Sequence, residues 1–580
     1  MISSGSGERS AAGKRLYWIG VLLALAVGVP FLNKPFHIDD TMVLAVSSQI
    51  LREPLRPFHA SINWSGDPVP IFEKTTNPPL VSYVLAPLVA RFGYREAPLH
   101  LAMLGFLVIL GLAMAWLARR FAGGSVWPVL FVMLSPGVAA SVNVMRDVPM
   151  MALSAAAVAV FVSGVDRRRW PLALGGSALA GLAILTKYSA VILFPVLIGY
   201  ALLRRRGRDG LWLAAAAALL GLWCLQTQLT EWRIHLVYLL TTGRGGQPWT
   251  DRFYAALVTV GACLFLAPAL LAEAASRGRL RLLAGTAIAM ALALVGARRH
   301  LFGPPGSQYL LWHWAGAALL SLAILPMIGA LRRRGGASTA ADADSVFLAL
   351  WTGAAIVFAV LGVMFQAVRH VLPVLPPLAL LAVRSLRPNE ARGRPFDRLR
   401  VTPSEAEGRD SSDRARRPMR WMVGVLGVCL LAQAVIAFGV GAADYAYADT
   451  YRQFAHEART NLPRPGRDVW FFGHWGWQLY ASSAGFRQLA GHGPMPKAGD
   501  ALIVPDRVDK EQLPAALDGR LALIQEKTYS SPIPLQTMGP GSLFYGVSGG
   551  NVPYIFTRER KLETFRVYRV EARRGARPAA

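Results

Sequence analysis

Long uncharged apolar blocks alternate with short clusters of Arg and Lys along this chain. The first block, "LYWIGVLLALAVGVPFL" (16–32), carries no charge at all. An α-helix needs roughly 20 apolar residues to cross the hydrocarbon core of a bilayer, and the blocks have about that length. Thirteen spans are predicted, at about 16–32, 98–118, 125–144, 148–164, 171–185, 189–203, 210–228, 253–273, 282–297, 310–330, 345–364, 371–386 and 421–440. The fold class is therefore a polytopic α-helical membrane protein. Two stretches between the first spans pattern differently. "DTMVLAVSSQILRE" (40–53) sets apolar residues at 43, 44, 46, 50 and 51, close to helical spacing, with polar residues between them. "NPPLVSYVLAPLVARFG" (77–93) is apolar but short, opens on prolines suited to a helix start and holds Pro87 inside. Both are predicted as amphipathic helices lying in the outer membrane interface.

Beyond residue 440 the pattern changes. Short β-rich runs, "DVWFFGH" (468–474), "ALIVPD" (501–506), "RLALIQE" (520–526) and "FRVYRV" (565–570), alternate with turn-rich linkers. They predict a small soluble α/β domain over 441–580, following a membrane domain over 1–440. Within the latter, 387–420 is rich in charge, Pro and Ser and is expected to be a disordered cytoplasmic loop. Its core, "RPFDRLRVTPSEAEG", resembles a repeat-derived insertion found in bacterial coding sequences.

Composition supports the membrane reading. Of 580 residues 54% are hydrophobic and 16% charged, well under the roughly 25% charged of soluble globular proteins. A net charge of +27 raises the question of nucleic acid. The basic residues, however, sit between apolar blocks: "GKR" (13–15), "ARR" (118–120), "DRRR" (166–169), "RRRGR" (204–208), "RGRLR" (277–281) and "LRRR" (331–334). With the N-terminus in the cytoplasm all of them fall on the cytoplasmic side, as the positive-inside bias requires. No basic face with interleaved aromatics is present to grip a strand, so no nucleic-acid partner is expected. Cys224, Cys263 and Cys429 all lie in apolar blocks, without disulfide or metal-ligand spacing. Cleavage of the first block as a signal peptide is not expected, since many spans follow and no clear A-x-A site precedes Asp39.

Candidate chemistry lies at the outward ends of the spans. Asp39 and Asp40 follow span 1, and Glu73 and Lys74 stand in the same loop, "PIFEKTTNPPL". Arg146 and Asp147 occupy the short turn "NVMRDVPMM", Lys187 the turn "LTKYSA", and Arg369 and His370 the turn "QAVRHVLPVLPP". A charge at membrane depth costs about 2.5–3.5 kcal/mol or more, so such residues line cavities or pair with one another. Five locations converging on one face imply a polar cavity. Blander readings stand beside this for each member. Asp39 or Asp40 would cap the following helix, and Asp147 would pair with Arg146 or cap span 4. Lys187 would snorkel to the interface, and Arg369 and His370 would be ordinary loop charges. His474, in the aromatic "FFGHWGWQLY", reads as structural. A transporter or flippase for a lipid-linked or anionic substrate would also bury charges in a polar cavity. Against it, the sequence has no evident inverted repeat and its ionisable groups gather at one face. A structural membrane protein with an outer binding domain leaves the convergent charges unexplained.

In these residues the sequence resembles the lipid-sugar-dependent glycosyltransferases of the GT-C class, specifically family 39. That family includes the protein O-mannosyltransferases and the aminoarabinose transferases that modify lipid A. The matching features run in order over about 1–390: "IDD" after span 1, "FEK…PPLVSYVLAPLVARFG", "RDVP", "LAILTKYSAVILFP" and "RHVLPVLPPLALL". Departures are Thr41–Met42 after the acidic pair, Thr75–Thr76–Asn77 between "FEK" and "PP", and "TKY" in place of the common "TKG". They point away from an aminoarabinose transferase in the narrow sense. The resemblance implies a GT-C-like fold of about 13 transmembrane helices in a bacterial inner membrane, with the C-terminal domain extracytoplasmic. It implies transfer of a sugar from a polyprenyl-phosphate donor to a hydroxyl on a lipid, glycan or protein. A phosphate leaving group needs no proton, so one carboxylate base and several cations suffice. Asp39 is the expected base, with Asp40 as the alternative. Lys74, Lys187 and Arg369, with a weaker contribution from His370, are expected to bind phosphate. Glu73 and Asp147 would position sugar, acceptor or those cations. A carboxylate cluster can also hold a divalent cation, but nothing spaces as a firm metal site. No essential metal or other cofactor is expected.

Overall fold

The structure, a computed structural model, describes residues 4–242, 245–276, 306–332, 340–386, 408–462, 467–508, 510–547 and 551–572, with a few isolated positions between 284 and 291. The predicted span at 282–297 therefore lies almost wholly outside the described residues, as does 387–407 of the predicted loop. Helix occupies the other predicted span positions. Not all of it is long enough to cross a bilayer. Among the described residues seven helices are long and apolar enough: Lys14–Phe31, Glu96–Phe121, Asp147–Arg167, Gly207–Glu231, Ala343–Leu361, Val368–Ser385 and Trp421–Asn461. An eighth results if Trp249–Cys263 and Ala267–Ser276, bent by 83° at their junction, count as one span. The chain is thus a polytopic helical membrane protein, and the described residues do not reproduce the count of thirteen.

The clearest shortfall is at 125–144. There the helix breaks into Trp127–Met133 and Pro136–Ala140. Pro136 forces Ser135 out of the helical region (φ −70°, ψ 136°), and the Ser135 hydroxyl caps the new start by accepting from Gly137 N. The same hydroxyl donates to the Cys263 carbonyl at 2.8 Å, so the break is tied to a neighbouring helix. A short turn follows, and it leads into Arg146 and Asp147.

Helices approach closely where glycine permits. A Cβ on Gly20 or on Gly111 would collide with the other's backbone, which brings the first helix onto Glu96–Phe121. At the ends bearing the basic clusters a partly exposed ionic knot joins the helices. Arg120 meets Asp166 (2.6 Å) and Asp344 (3.0 Å), Arg204 also pairs with Asp344, and Tyr200 donates to Asp166 at 2.6 Å. Arg384 closes the knot by donating to the Phe121 carbonyl at 2.7 Å. Asp344 is the buried member of the knot, and the arginines around it supply its counter-charge.

The two helices predicted for the outer interface form as Asp40–Arg52 and Leu80–Phe92. The first is covered on more than one face: Met42, Val43, Leu44, Val46 and Ile50 are all buried, as are Thr41, Ser47 and Gln49. Leu80–Phe92 packs along it, and Ser82 donates to the Val43 carbonyl at 3.0 Å.

The last helix, Gly408–Asn461, departs from the predicted boundaries at both ends. It begins inside the segment expected to be disordered, since extending a formed helix adds residues at little cost. It also runs past 440, because Tyr447, Tyr451, Phe454, Ala455 and Ala458 continue a buried stripe at helical spacing. The C-terminal sheet packs on that stripe, with Phe454 stacked on Phe565 at 4.2 Å. Its five strands lie in the order Arg487–Gln488, Val469–Phe471, Ala501–Pro505, Lys561–Val570, Leu521–Ser530. The first two junctions are parallel and the last two antiparallel. All four predicted β-rich runs contribute strands to it.

Candidate functional site

The turn after the first helix separates the two adjacent carboxylates. Ile38 sits at φ +45°, a backbone region that a β-branched residue occupies only under constraint. That geometry directs Asp40 inward. Asp40 is fully buried, its Oδ2 accepts from His37 N at 2.8 Å, and its Oδ1 has no partner among the described residues. Burial, helped by the charge of Asp39, pushes its carboxyl up to about 8, so Asp40 is mostly neutral at pH 7. His37 is buried too. Burial holds its imidazole down at about 4, although Asp444 opposes the shift, and the ring is neutral. Asp39 points the other way. Its side chain is 35% exposed and lies 3.0 Å from Arg369 Nη1.

Three further turns complete the site. Asp147 opens the helix Asp147–Arg167, and its Oδ1 meets Lys187 Nζ at 2.6 Å with both side chains buried. Lys187 lies in extended backbone between the helices Trp170–Thr186 and Tyr188–Leu203. Burial lowers its pKa, with Arg369 adding to the effect and Asp147 opposing it. Arg146 is buried beside Asp39, Asp147 and Arg369, and its Nε and Nη2 have no hydrogen-bond partner among the described residues. Burial brings its guanidinium down to about 10, still protonated at neutral pH. Arg369 Nη1, although near Asp39, lacks hydrogen-bond geometry and keeps an N–H for another acceptor. His370 packs edge-on against Phe365 at 5.6 Å, next to Arg369.

Asp39, Asp147, Lys187, Arg369 and His370 are therefore brought together, and Arg146 joins them. Glu73 and Lys74 are seated in a neighbouring segment, the short helix Ile71–Lys74. Glu73 accepts from Arg233 at 3.1 Å, Lys74 donates to Ser65 at 2.7 Å, and Phe72 beside them packs on His235 and Tyr238. His474 is buried and bonded to Glu511 at 2.9 Å, a structural role. Among the described residues no group of three or more His, Cys, Asp or Glu side chains is placed to hold a metal ion.

Two features are not legible in the sequence. Arg146 reads there as a local partner of Asp147, but Asp147 bonds Lys187 and leaves the guanidinium open. Lys34 belongs to no motif, yet its ammonium is buried against Asp444 Oδ2 at 2.7 Å and donates to the Ala140 carbonyl at 2.9 Å. The available signal is its place: a lysine at what the sequence predicts as the outward end of a span runs against the positive-inside bias.

Asp39 and Asp147 thus face Arg146, Lys187 and Arg369, an excess of one positive charge among these groups. Buried cationic N–H groups without acceptors, beside a partly exposed carboxylate, suit an oxyanion next to a proton acceptor.

The family described as Dolichyl-phosphate-mannose-protein mannosyltransferase matches residues 76–230. No curated protein matches the chain. Among solved structures, ArnT from Cupriavidus metallidurans bound to undecaprenyl phosphate is 16% identical, covering 84% of this chain and 92% of that one at a TM-score of 0.44. The apo form of the same protein gives the same identity and coverage at 0.41. The Archaeoglobus fulgidus oligosaccharyltransferase tethered to an acceptor peptide is 11% identical, covering 82% and 64% at 0.47. These structural likenesses are too loose to carry a functional argument. The family match spans "NPPLVSYVLAPLVARFG", "RDVP" and "LAILTKYSAVILFP", and so supports over that stretch the resemblance to GT-C glycosyltransferases of family 39.

Proposed function

We propose that this chain is a membrane glycosyltransferase that moves a sugar from a polyprenyl-phosphate donor to a hydroxyl acceptor on the extracytoplasmic face. One observation carries the reading: Asp39, Arg146, Asp147, Lys187 and Arg369 meet in one cluster with a surplus positive charge and guanidinium N–H groups unpartnered among the described residues. Asp39 takes the proton of the acceptor hydroxyl, whose oxygen attacks the anomeric carbon. The bond from that carbon to the phosphate oxygen breaks, and polyprenyl phosphate departs as an anion held by Lys187, Arg369 and Arg146. Asp147 orients Lys187. His370 borders the phosphate. Glu73 and Lys74, in the outer loop, contact sugar or acceptor. Asp40, buried and neutral, has no access to an incoming hydroxyl and serves the turn instead.

The site lies at the ends of the helices opposite the Arg120–Asp166–Asp344 knot, whose neighbourhood holds the basic clusters. This supports an N-terminus in the cytoplasm of a bacterial inner membrane and a C-terminal domain outside. The reaction calls for no divalent cation.

The test is incubation of the purified full-length protein with a panel of undecaprenyl-phosphate sugars, scoring released undecaprenyl phosphate for wild type and Asp39→Asn. Release by wild type and its loss in a folded mutant support the reading. Inactivity of the wild type across a broad panel rejects it in favour of a transporter or flippase.

A further inference from the structure

Three of the four turns that carry the site, those of Asp39, Arg146–Asp147 and Arg369, are far apart in sequence, and each contacts one C-terminal segment. Tyr545 stands at its centre. Its ring meets His37 edge-on at 5.0 Å, in the turn that bears Asp39. Its hydroxyl donates to Asp444 Oδ2 at 2.7 Å and accepts from Asn143 Nδ2 at 2.8 Å, in the turn that bears Arg146 and Asp147. Its neighbours hold the third turn, because Val368 N donates to the Phe544 carbonyl at 3.2 Å and Val547 N to the Gln366 carbonyl at 2.6 Å. Those two bonds fix the backbone that leads into Arg369. Asp444 binds the other side of the same structure. It takes the Lys34 ammonium, which also reaches Ala140, and it accepts from Thr537 at 2.9 Å. Tyr545, Asp444, Lys34 and Asn143 are all buried.

We infer that residues 537–547 form a positioning clamp for the site, with the Tyr545 hydroxyl and the Lys34–Asp444 pair fixing Asp39, Arg146–Asp147 and Arg369 relative to one another. A buried ion pair is weak evidence for stability as such, and setting register is its best-attested use. Here the polar network joins otherwise separate turns, with both oxygens of Asp444 and the Tyr545 hydroxyl bonded. The C-terminal segment is then part of the catalytic unit, not an appended acceptor-binding module. Tyr545 acts through the groups it holds and is a positioning residue.

The kinetic half of this inference rests on the transferase reading, whereas the clamp itself is tested without it. Tyr545→Phe in the full-length protein removes one hydroxyl. Lys527→Ala breaks the half-exposed pair with Glu457 in the C-terminal domain, outside both the clamp and the turns. Hydrogen exchange followed by mass spectrometry reads peptides covering 33–40, 140–147 and 366–370, and release of undecaprenyl phosphate reads turnover. In Tyr545→Phe, exchange in all three peptides rises at least threefold, while kcat falls at least tenfold with donor KM within twofold. A displacement of about 1 Å is enough for such a loss. Lys527→Ala stays close to wild type in both readouts. Wild-type exchange in a folded Tyr545→Phe overturns the clamp, and so does an equal loss in Lys527→Ala. If Tyr545→Phe does not fold, Asn143→Ala cuts the other bond of the same hydroxyl and is held to faster exchange in 140–147 and the same kinetic criteria. A wild type that releases nothing from any donor rejects the transferase reading alone, and the exchange data still decide the clamp.

Discussion

Replacing each of the adjacent carboxylates by its amide should give opposite phenotypes. Asp40 is fully buried, and burial lifts its carboxyl from 3.8 to about 8. A folded pKa above the unfolded one means that the folded state keeps a proton the unfolded chain gives up. Stability from this source is complete below pH 3.8 and is lost as pH rises through 8. From about pH 4 to 7 the loss accumulates over about three pH units at about 1.4 kcal/mol each, or ~4 kcal/mol at neutral pH. The amide in Asp40→Asn stays neutral throughout, and its oxygen still accepts from His37 N. Asp40→Asn therefore gains in thermal midpoint over wild type steadily from about pH 5 to 8, a difference from which the opposite slope of buried His37, common to both proteins, cancels. Its release of undecaprenyl phosphate stays within about threefold of wild type, because Asp40 has no place in the proton transfer. Asp39→Asn behaves in the opposite way. Asp39 is a third exposed and its pair with Arg369 is worth about 1 kcal/mol or less, so stability barely changes. Loss of a general base lowers kcat on the order of 10²- to 10⁴-fold. Equal pH slopes for wild type and Asp40→Asn, or a folded Asp40→Asn without activity, would refute the division of labour.

Three further outcomes are expected. Arg146→Met removes the excess positive charge, and affinity for undecaprenyl phosphate, followed by intrinsic fluorescence, falls at least tenfold; an unchanged affinity counts against the phosphate role. Lys187→Met leaves Asp147 buried without its partner and destabilises by about 3–5 kcal/mol. In Lys187→Met/Asp147→Leu the thermal midpoint recovers but release does not, and recovery of both would make the pair purely structural. Treatment with EDTA leaves release unchanged if, as proposed, Arg146, Lys187 and Arg369 supply the charge that holds the phosphate; a loss restored by Mg²⁺ or Mn²⁺ would place a metal in the site.

The helical architecture is legible because apolar length is a physical requirement of the bilayer, read directly from composition. What composition does not carry is continuity. The block 125–144 is mostly apolar, yet Pro136 breaks it and Ser135 caps the second piece, so one predicted span becomes two short helices. The reverse happens at 440. "ADYAYADTYRQFAHEA" looks soluble because its polar residues interrupt the hydropathy, while Tyr447, Tyr451 and Phe454 carry the helix on at the same spacing. Uninterrupted hydropathy ends near 440, but the fold ends the helix where the buried stripe stops.

The site is legible as an order of charged turns and not as a geometry. That Asp39, Asp147, Lys187, Arg369 and His370 share one face follows from placing each at an outward span end. Which partner each takes does not follow, because partners are set by backbone direction within single turns. Ile38 at φ +45° sends Asp40 into the protein and leaves Asp39 facing the cations, a difference that two identical neighbouring letters cannot display. Asp147 takes Lys187 from the turn between two other helices in preference to the adjacent Arg146, and that choice leaves a guanidinium whose Nε and Nη2 nothing among the described residues satisfies. The residues invisible in the sequence are those that act across the greatest separation. Lys34, Asn143, Asp444 and Tyr545 belong to four segments with no shared motif, and only their convergence shows that one polar network underlies the turns of Asp39 and Arg146–Asp147. A site assembled from distant turns needs something to fix their spacing. The bilayer sets their depth but not their lateral register, and the C-terminal segment touches these two and, through Phe544 and Val547, the turn of Arg369.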